Sequence, residues 1–241
     1  MTKKLQKRWE RIFLNEAIAR SKFQWTIVEE REGPDFIVEH AGGRFGLEVV
    51  DVFAGKVDGA GSVLRRKEGI NEQKVAALRR EYEANTGVGI QVQFIGPLSD
   101  YRASQVVERL IAEDFANKPL AEPNVILLDD GWMHPKLKLI VRRWDRPDWY
   151  IVNDRVGWVD MRPNLAINCA IRKKTRRLKE YQTAVGPDVR LLLVADGMKA
   201  SGKIRLPAGS AFYLRGFNAA YLYCRPEYLI PLTSRTSTSA K

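Results

Sequence analysis

The stretch GPDFIVEHAGGRFGLEVVDV, Gly33 to Val52, constrains the fold more than any other part of the chain. Its two β-like runs, DFIVEH and FGLEVVDVF, are separated by AGGR, a tight-turn signal, and predict a hairpin. Each run carries an acid where an apolar or neutral residue would cost less. Asp35 follows Pro34 at the start of the first. In the second, alternation puts Gly46, Glu48, Val50 and Val52 on one face and Phe45, Leu47, Val49, Asp51 and Phe53 on the other. Glu48 thus belongs to an apolar face of a strand expected to be central, and the ladder can bring Asp35 beside it. Two carboxylates on adjacent strands make a hard-oxygen site of the kind that suits magnesium or manganese.

Helical spacing of apolar residues over Lys3–Lys22 and the strand-like run FQWTIVEE precede this hairpin, so the chain opens α-β-β-β. Further on, Ser62–Tyr82 and Ser99–Asn117 read as helices, GIQVQFIG and NVILLDDG as strands. Asn164–Tyr181 reads as a helix capped by Asn164, and VRLLLVADG and AAYLYC as buried strands. The alternation predicts an α/β fold, a central mixed β-sheet flanked by helices. We expect one domain over residues 1–232, with an inserted elaboration around 54–163, and a flexible Ser/Thr-rich tail over 233–241.

No run approaches the ~20 apolar residues of a membrane helix. The N-terminus is charged throughout and lacks the features of a signal peptide, so a cytoplasmic location is expected. Cys169 and Cys224 form no metal or disulfide pattern, and His40 and His134 are too isolated for zinc or Ser-His-Asp chemistry. A net charge of +11 favours an anionic partner, nucleic acid first. IRKKTRRLKE is the densest basic run, with Arg172, Lys173, Arg176, Arg177 and Lys179 as candidate phosphate contacts.

At about 100° per residue, with Phe13 at zero, Trp9 falls at about −40°, Leu5 at about −80° and Ala17 at about +40°. Glu16 falls at about −60°, inside that stripe. It is either a buried acid in need of a cation, metal or hydrogen bonds, or an edge residue that reaches water.

An α-β-β-β start, with Pro34-Asp35 opening the second strand and Glu48 in the middle of the third, resembles the PD-(D/E)XK nuclease superfamily, the restriction-endonuclease-like fold. The resemblance covers Leu14 to Val52. It implies an α-β-β-β-α-β core, and it places the family's helix glutamate on Glu16 and its two strand acids on Asp35 and Glu48. It further implies a magnesium or manganese ion held by these acids, water attack on a phosphodiester, and a lysine two residues after the second acid. That position is Val50 here.

Some branches of the superfamily carry the lysine on another element. In the Asn164–Tyr181 helix, with Ile171 at zero, Lys174 falls at about −60°, between Ile167 at about −40° and Tyr181 at about −80°. Lys74 faces similarly in the earlier helix, at about −40° from Leu78, and is the second candidate as well as a candidate nucleic-acid contact. The ordinary alternative for Lys174 is a side chain that snorkels past the stripe. VDGAGS reads as a loop, Asp129 and Asp130 as turn or cap residues, and the tryptophans from Trp132 to Trp158 as core residues or base-stacking platforms.

The leading expectation is a divalent-metal-dependent nuclease acting on DNA rather than RNA, with no membrane partner and a homodimer allowed. Glu16, Asp35 and Glu48 surround the metal, and Lys174 serves as the displaced lysine. A nucleic-acid-binding domain of the same fold with a decayed site, and a basic partner-binding protein, remain as alternatives.

Overall fold

A computed structural model describes residues 3–55, 57–58, 61–128, 136–152 and 159–235. The chain begins with α1 (Lys3–Arg20), β1 (Thr26–Glu30), β2 (Phe36–His40), β3 (Gly43–Asp51), and the short pair β4 (Val57–Asp58) and β5 (Gly61–Ser62). Next come α2 (Val63–Thr86), β6 (Ile90–Ile95), α3 (Asp100–Ala112), β7 (Asn124–Leu128), β8 (Leu137–Arg143) and β9 (Trp149–Val152). The last elements are α4 (Asn164–Thr175), α5 (Leu178–Val185), β10 (Val189–Asp196), β11 (Ala211–Phe212), β12 (Ala219–Arg225), β13 (Tyr228–Pro231) and β14 (Thr233–Ser234). Two compact units result: Met1–Leu64 with Trp158–Lys241, and Arg65–Gly157.

The first unit is built on a six-stranded mixed sheet, in the order β1-β2-β3-β10-β12-β13. β3, β10 and β12 run parallel to one another, and the outer pairs are antiparallel. This is the α/β class expected. β10 is central because its side chains are apolar on both faces, as a strand covered from two sides requires; Leu191, Leu192, Leu193, Val194 and Ala195 are all buried. On one face Phe13, Leu14 and Ala17 of α1 pack on Phe36, Val38, Leu47, Val49, Leu192 and Val194. On the other, Ile167 and Ile171 of α4 with Leu178 and Tyr181 of α5 pack on Leu191, Leu193 and Leu222. Each such Leu, Val or Ile contributes roughly 1.5–3 kcal/mol by leaving water.

The β2–β3 hairpin forms as expected, with His40 opposite Gly43 and Phe36 opposite Leu47. Gly46 lets Pro34 and α5 close on β3, since a Cβ there would meet Pro34 Cγ and Val185 Cγ2 at 2.6 Å each. That approach seats the Pro34-Asp35 corner against the strand that carries Glu48.

Three local expectations are corrected. The helix expected over Asn164–Tyr181 is two helices: α4 ends at Thr175, Arg176 is its cap, and α5 starts at Leu178. Asn164 is the first helical residue of α4 rather than its cap. Thr233–Ser234, expected in a loose tail, pairs with Ala211–Phe212, and the Arg235 N–H donates to the Phe212 carbonyl at 2.8 Å. The buried Leu232 just before them anchors that pairing.

The second unit has its own four-stranded sheet, β7-β8-β6-β9, and its own core of Ile90, Val92, Phe94, Leu139 and Val141 with Leu78, Tyr82, Val106 and Leu110. Ser99 caps α3, its Oγ accepting from the Arg102 N–H at 3.2 Å. Trp149 is buried and donates its indole N–H to Ile90, whereas Trp144 is 39 % exposed. Trp132, Trp158, Asp129, Asp130 and His134 lie outside the described residues. Cys224 is buried, Cys169 is half-buried, and both are free thiols. Among the described residues no helix is long and apolar enough to cross a membrane.

Candidate active site

Glu48 is 2 % exposed and lies on the sheet face covered by α4 and α5. A carboxylate so far from water needs charge or hydrogen-bond partners in the protein. Its Oε1 accepts from the Lys174 ammonium at 2.5 Å and the Tyr181 hydroxyl at 2.8 Å, and its Oε2 accepts from the Asp35 N–H at 3.2 Å. Lys174 and Tyr181 are seven residues apart, two helical turns, so they meet the same carboxylate despite the break between α4 and α5.

Asp35, also buried, stands one position before β2, across the hairpin from Glu48. Its Oδ2 accepts from the Val49 N–H at 2.9 Å, and its Oδ1 meets the Lys7 ammonium. Lys7 also lies 3.1 Å from Glu10 Oε2, and Gln6 donates to Glu10 Oε1 at 2.9 Å. Two linked carboxylate clusters result, one closed by Lys174 and the other by Lys7.

Burial and then the Asp35 charge push the Glu48 carboxyl above the ordinary value, against the pull of Lys174 and Tyr181. The Tyr181 phenol is raised strongly by burial and by Glu48, so it donates to the carboxylate at any ordinary pH. The Lys7 ammonium loses from burial but gains more from Asp35 and Glu10, and its value rises.

Asp35, Glu48 and Lys174 therefore come together in the structure, but Glu16 does not join them. Arg225 clamps it with Nε at 2.7 Å and Nη2 at 3.0 Å, Tyr223 donates to it at 3.1 Å, and the guanidinium holds its carboxyl below the ordinary range. Tyr223 belongs to β12, two strands from β3, so Glu16 ties α1 to a different part of the sheet. The α1 glutamate linked to Asp35 is instead Glu10, six residues or about 9 Å back along the helix, and the link runs through Lys7.

The expectation failed because Leu5 and Trp9, which located the stripe, are 42 % and 38 % exposed. The buried face of α1 is Glu10, Phe13, Leu14 and Ala17. A count from Phe13, Leu14 and Ala17 alone centres the stripe on Glu10. Lys7 and the phenol of Tyr181 were also missed; Lys7 is one turn from Glu10, and Tyr181 shares the helical face of Lys174.

Of the basic candidates, Arg172, Lys173, Arg176 and Lys179 are exposed. Arg177 spends its charge on Glu180 at 2.6 Å and stacks on Tyr181, and Lys74, in the second unit, pairs with Asp100 at 2.5 Å.

Whether the acids fit a divalent ion depends on the acceptor sites they have left. A carboxylate offers about four lone-pair sites. Asp35 uses two, on Val49 and Lys7, and Glu48 three, on Lys174, Tyr181 and Asp35. Acceptor capacity remains on both. Among the described residues no group of three or more His, Cys, Asp or Glu side chains surrounds one point. Magnesium needs no such cage, since one or two carboxylates with water and phosphate oxygens are its usual shell. Asp35 and Glu48 fit that requirement. No protein-family model, curated protein or solved structure matches the chain.

Proposed function

We propose that the chain is a divalent-metal-dependent nuclease that hydrolyses phosphodiester bonds, in DNA rather than RNA. The observation that carries this reading is the meeting of Asp35 and Glu48 at the paired strands β2 and β3, with Lys174 of α4 on the second carboxylate. The order α1-β1-β2-β3 followed by helices and β10 supports a restriction-endonuclease-like core, as the resemblance implies.

A magnesium or manganese ion held by these acids would supply a Lewis acid and an activated water. Asp35 and Glu48 would provide its protein oxygens. The Asp35 N–H and the Tyr181 hydroxyl fix the Glu48 carboxylate, and the Val49 N–H fixes that of Asp35. Lys174, 2.5 Å from Glu48 Oε1, would donate to a non-bridging phosphate oxygen and stabilise the charge that develops there. Glu10 and Gln6 hold Lys7 beside Asp35 as a positioning pair. Arg172, Lys173, Arg176 and Lys179 supply phosphate contacts along α4 and α5.

A second reading, a nucleic-acid-binding domain without chemistry, is favoured by Val50 at the usual lysine position and by the ammonium already seated on each carboxylate. Incubation with supercoiled plasmid and with single-stranded DNA, in magnesium, in manganese and in chelator, separates the two. The nuclease reading expects metal-dependent breakdown of at least one substrate, and binding without breakdown in either metal supports the second.

A further inference from the structure

α4 turns a second face, opposite Lys174, toward a cleft that the proposed chemistry does not use. Arg172 stands about 160° around the helix from Lys174. With Asn168 it lines a cavity of about 450 Å³ whose other wall carries Tyr213, Arg215 and Arg235. A second cavity of about 660 Å³ shares those last three residues, so the two lie side by side along one groove. Small-molecule sites run to roughly 300–1,000 Å³, so each compartment has room for a nucleotide.

The lining is chemically one-sided. Among the described residues no Asp or Glu lines either cavity, and Arg172, Arg215 and Arg235 pair with no carboxylate. Guanidiniums gathered without acids leave the groove positively charged, and their planar forks match phosphate oxygens. Arg215 is held at φ 52°, a left-handed conformation uncommon outside glycine and frequent at functional sites. Tyr213, 46 % exposed, has the Arg235 guanidinium 5.9 Å from its ring centre. An exposed ring flanked by arginines is a stacking platform for an unpaired base.

We propose that this groove binds a single nucleic-acid strand. Arg172, Arg215 and Arg235 take its phosphates, and Tyr213 stacks on a base. The proposal rests on the nucleic-acid reading given above but not on cleavage at Glu48.

The test uses the full chain in chelator, which stops the proposed chemistry and leaves binding intact. Anisotropy of a fluorescein-labelled oligothymidylate carrying one 5-iodouracil is followed against salt for wild type, the double variant Arg215→Gln with Arg235→Gln, and the control Lys22→Gln. The double variant is expected to bind about tenfold or more weakly. Its log–log salt slope should be shallower by roughly two, one per lost contact, and the control should match wild type. Irradiation of the wild-type complex should cross-link iodouracil to Tyr213, a readout that does not depend on any variant folding. Equal binding by wild type and double variant, with cross-links elsewhere, overturns the groove while leaving the nucleic-acid reading in place. Failure of wild type to bind the strand at any salt concentration overturns the groove, and failure to bind duplex DNA as well overturns the nucleic-acid reading.

Discussion

Lys174 Nζ lies 2.5 Å from Glu48 Oε1 although 126 residues separate the two in sequence, while Val50, on the same strand face as Glu48, carries no charge. The ammonium is thus delivered from a helix instead of from the strand. Lys174→Met keeps the aliphatic bulk, and Glu48 can take up a proton in place of its partner, so the variant should fold. Cleavage should fall by about 10²–10³, the usual cost of losing a group that stabilises transition-state charge. Lys173→Met should change little. Val50→Lys added to Lys174→Met should restore part of the rate. Wild-type cleavage by Lys174→Met removes this lysine from the mechanism.

The raised Glu48 carboxyl makes stability depend on pH in a definite direction. Its folded value lies above the ordinary 4.5, chiefly through burial and then through Asp35. The native state therefore holds this proton more tightly than the unfolded chain does. The linked stability is fully present below the unfolded value and is lost as pH rises through the folded one. Glu48→Gln cannot ionise, so its Tm should lose less than that of wild type as pH rises from the ordinary value of 4.5 through the folded one. Parallel Tm curves would show that Glu48 ionises as freely in the fold as out of it.

Metal binding should run against the same proton. Calorimetric titration with manganese near neutral pH should show one site, weakened at least tenfold by Glu48→Ala. Affinity should drop on acidification, because the carboxylate must be deprotonated to bind. A manganese isotherm identical in wild type and Glu48→Ala would place the ion elsewhere.

The two α1 glutamates should separate in their effects. Glu16, clamped by Arg225 and 34 % exposed, is a structural tie. Glu16→Gln should cost about 1 kcal/mol, the upper end for partly exposed pairs, and leave cleavage unchanged. Glu10→Gln loosens Lys7 from Asp35 and should lower cleavage at saturating metal. The reverse pattern would restore Glu16 to the site.

The strand acids were legible because β alternation is strict: one residue of register decides which face Glu48 occupies, and the two-residue Ala41-Gly42 turn sets the register. Lys174 was legible because α4 buries a narrow apolar stripe that includes it. Glu10 was not, because α1 exposes Leu5 and Trp9, and hydrophobicity alone cannot say which apolar residues a helix leaves uncovered. The break at Arg176–Arg177 was hidden because arginine is a good helix former and neither Gly nor Pro marks the spot. The Arg172–Tyr213–Arg215–Arg235 groove depends on pairing between β11 and β14, two residues each, which no local pattern announces.

Single-turnover cleavage of an end-labelled DNA strand as a function of magnesium, by wild type and by Glu48→Gln, tests the central claim most directly. Wild type should cut with a rate that rises with magnesium and vanishes in chelator. Glu48→Gln should bind the strand with unchanged affinity in chelator and cut at least about 10²-fold more slowly. Equal rates for the two proteins, or no cutting by wild type in magnesium or manganese, would contradict the assignment of Asp35 and Glu48 as a phosphodiesterase centre.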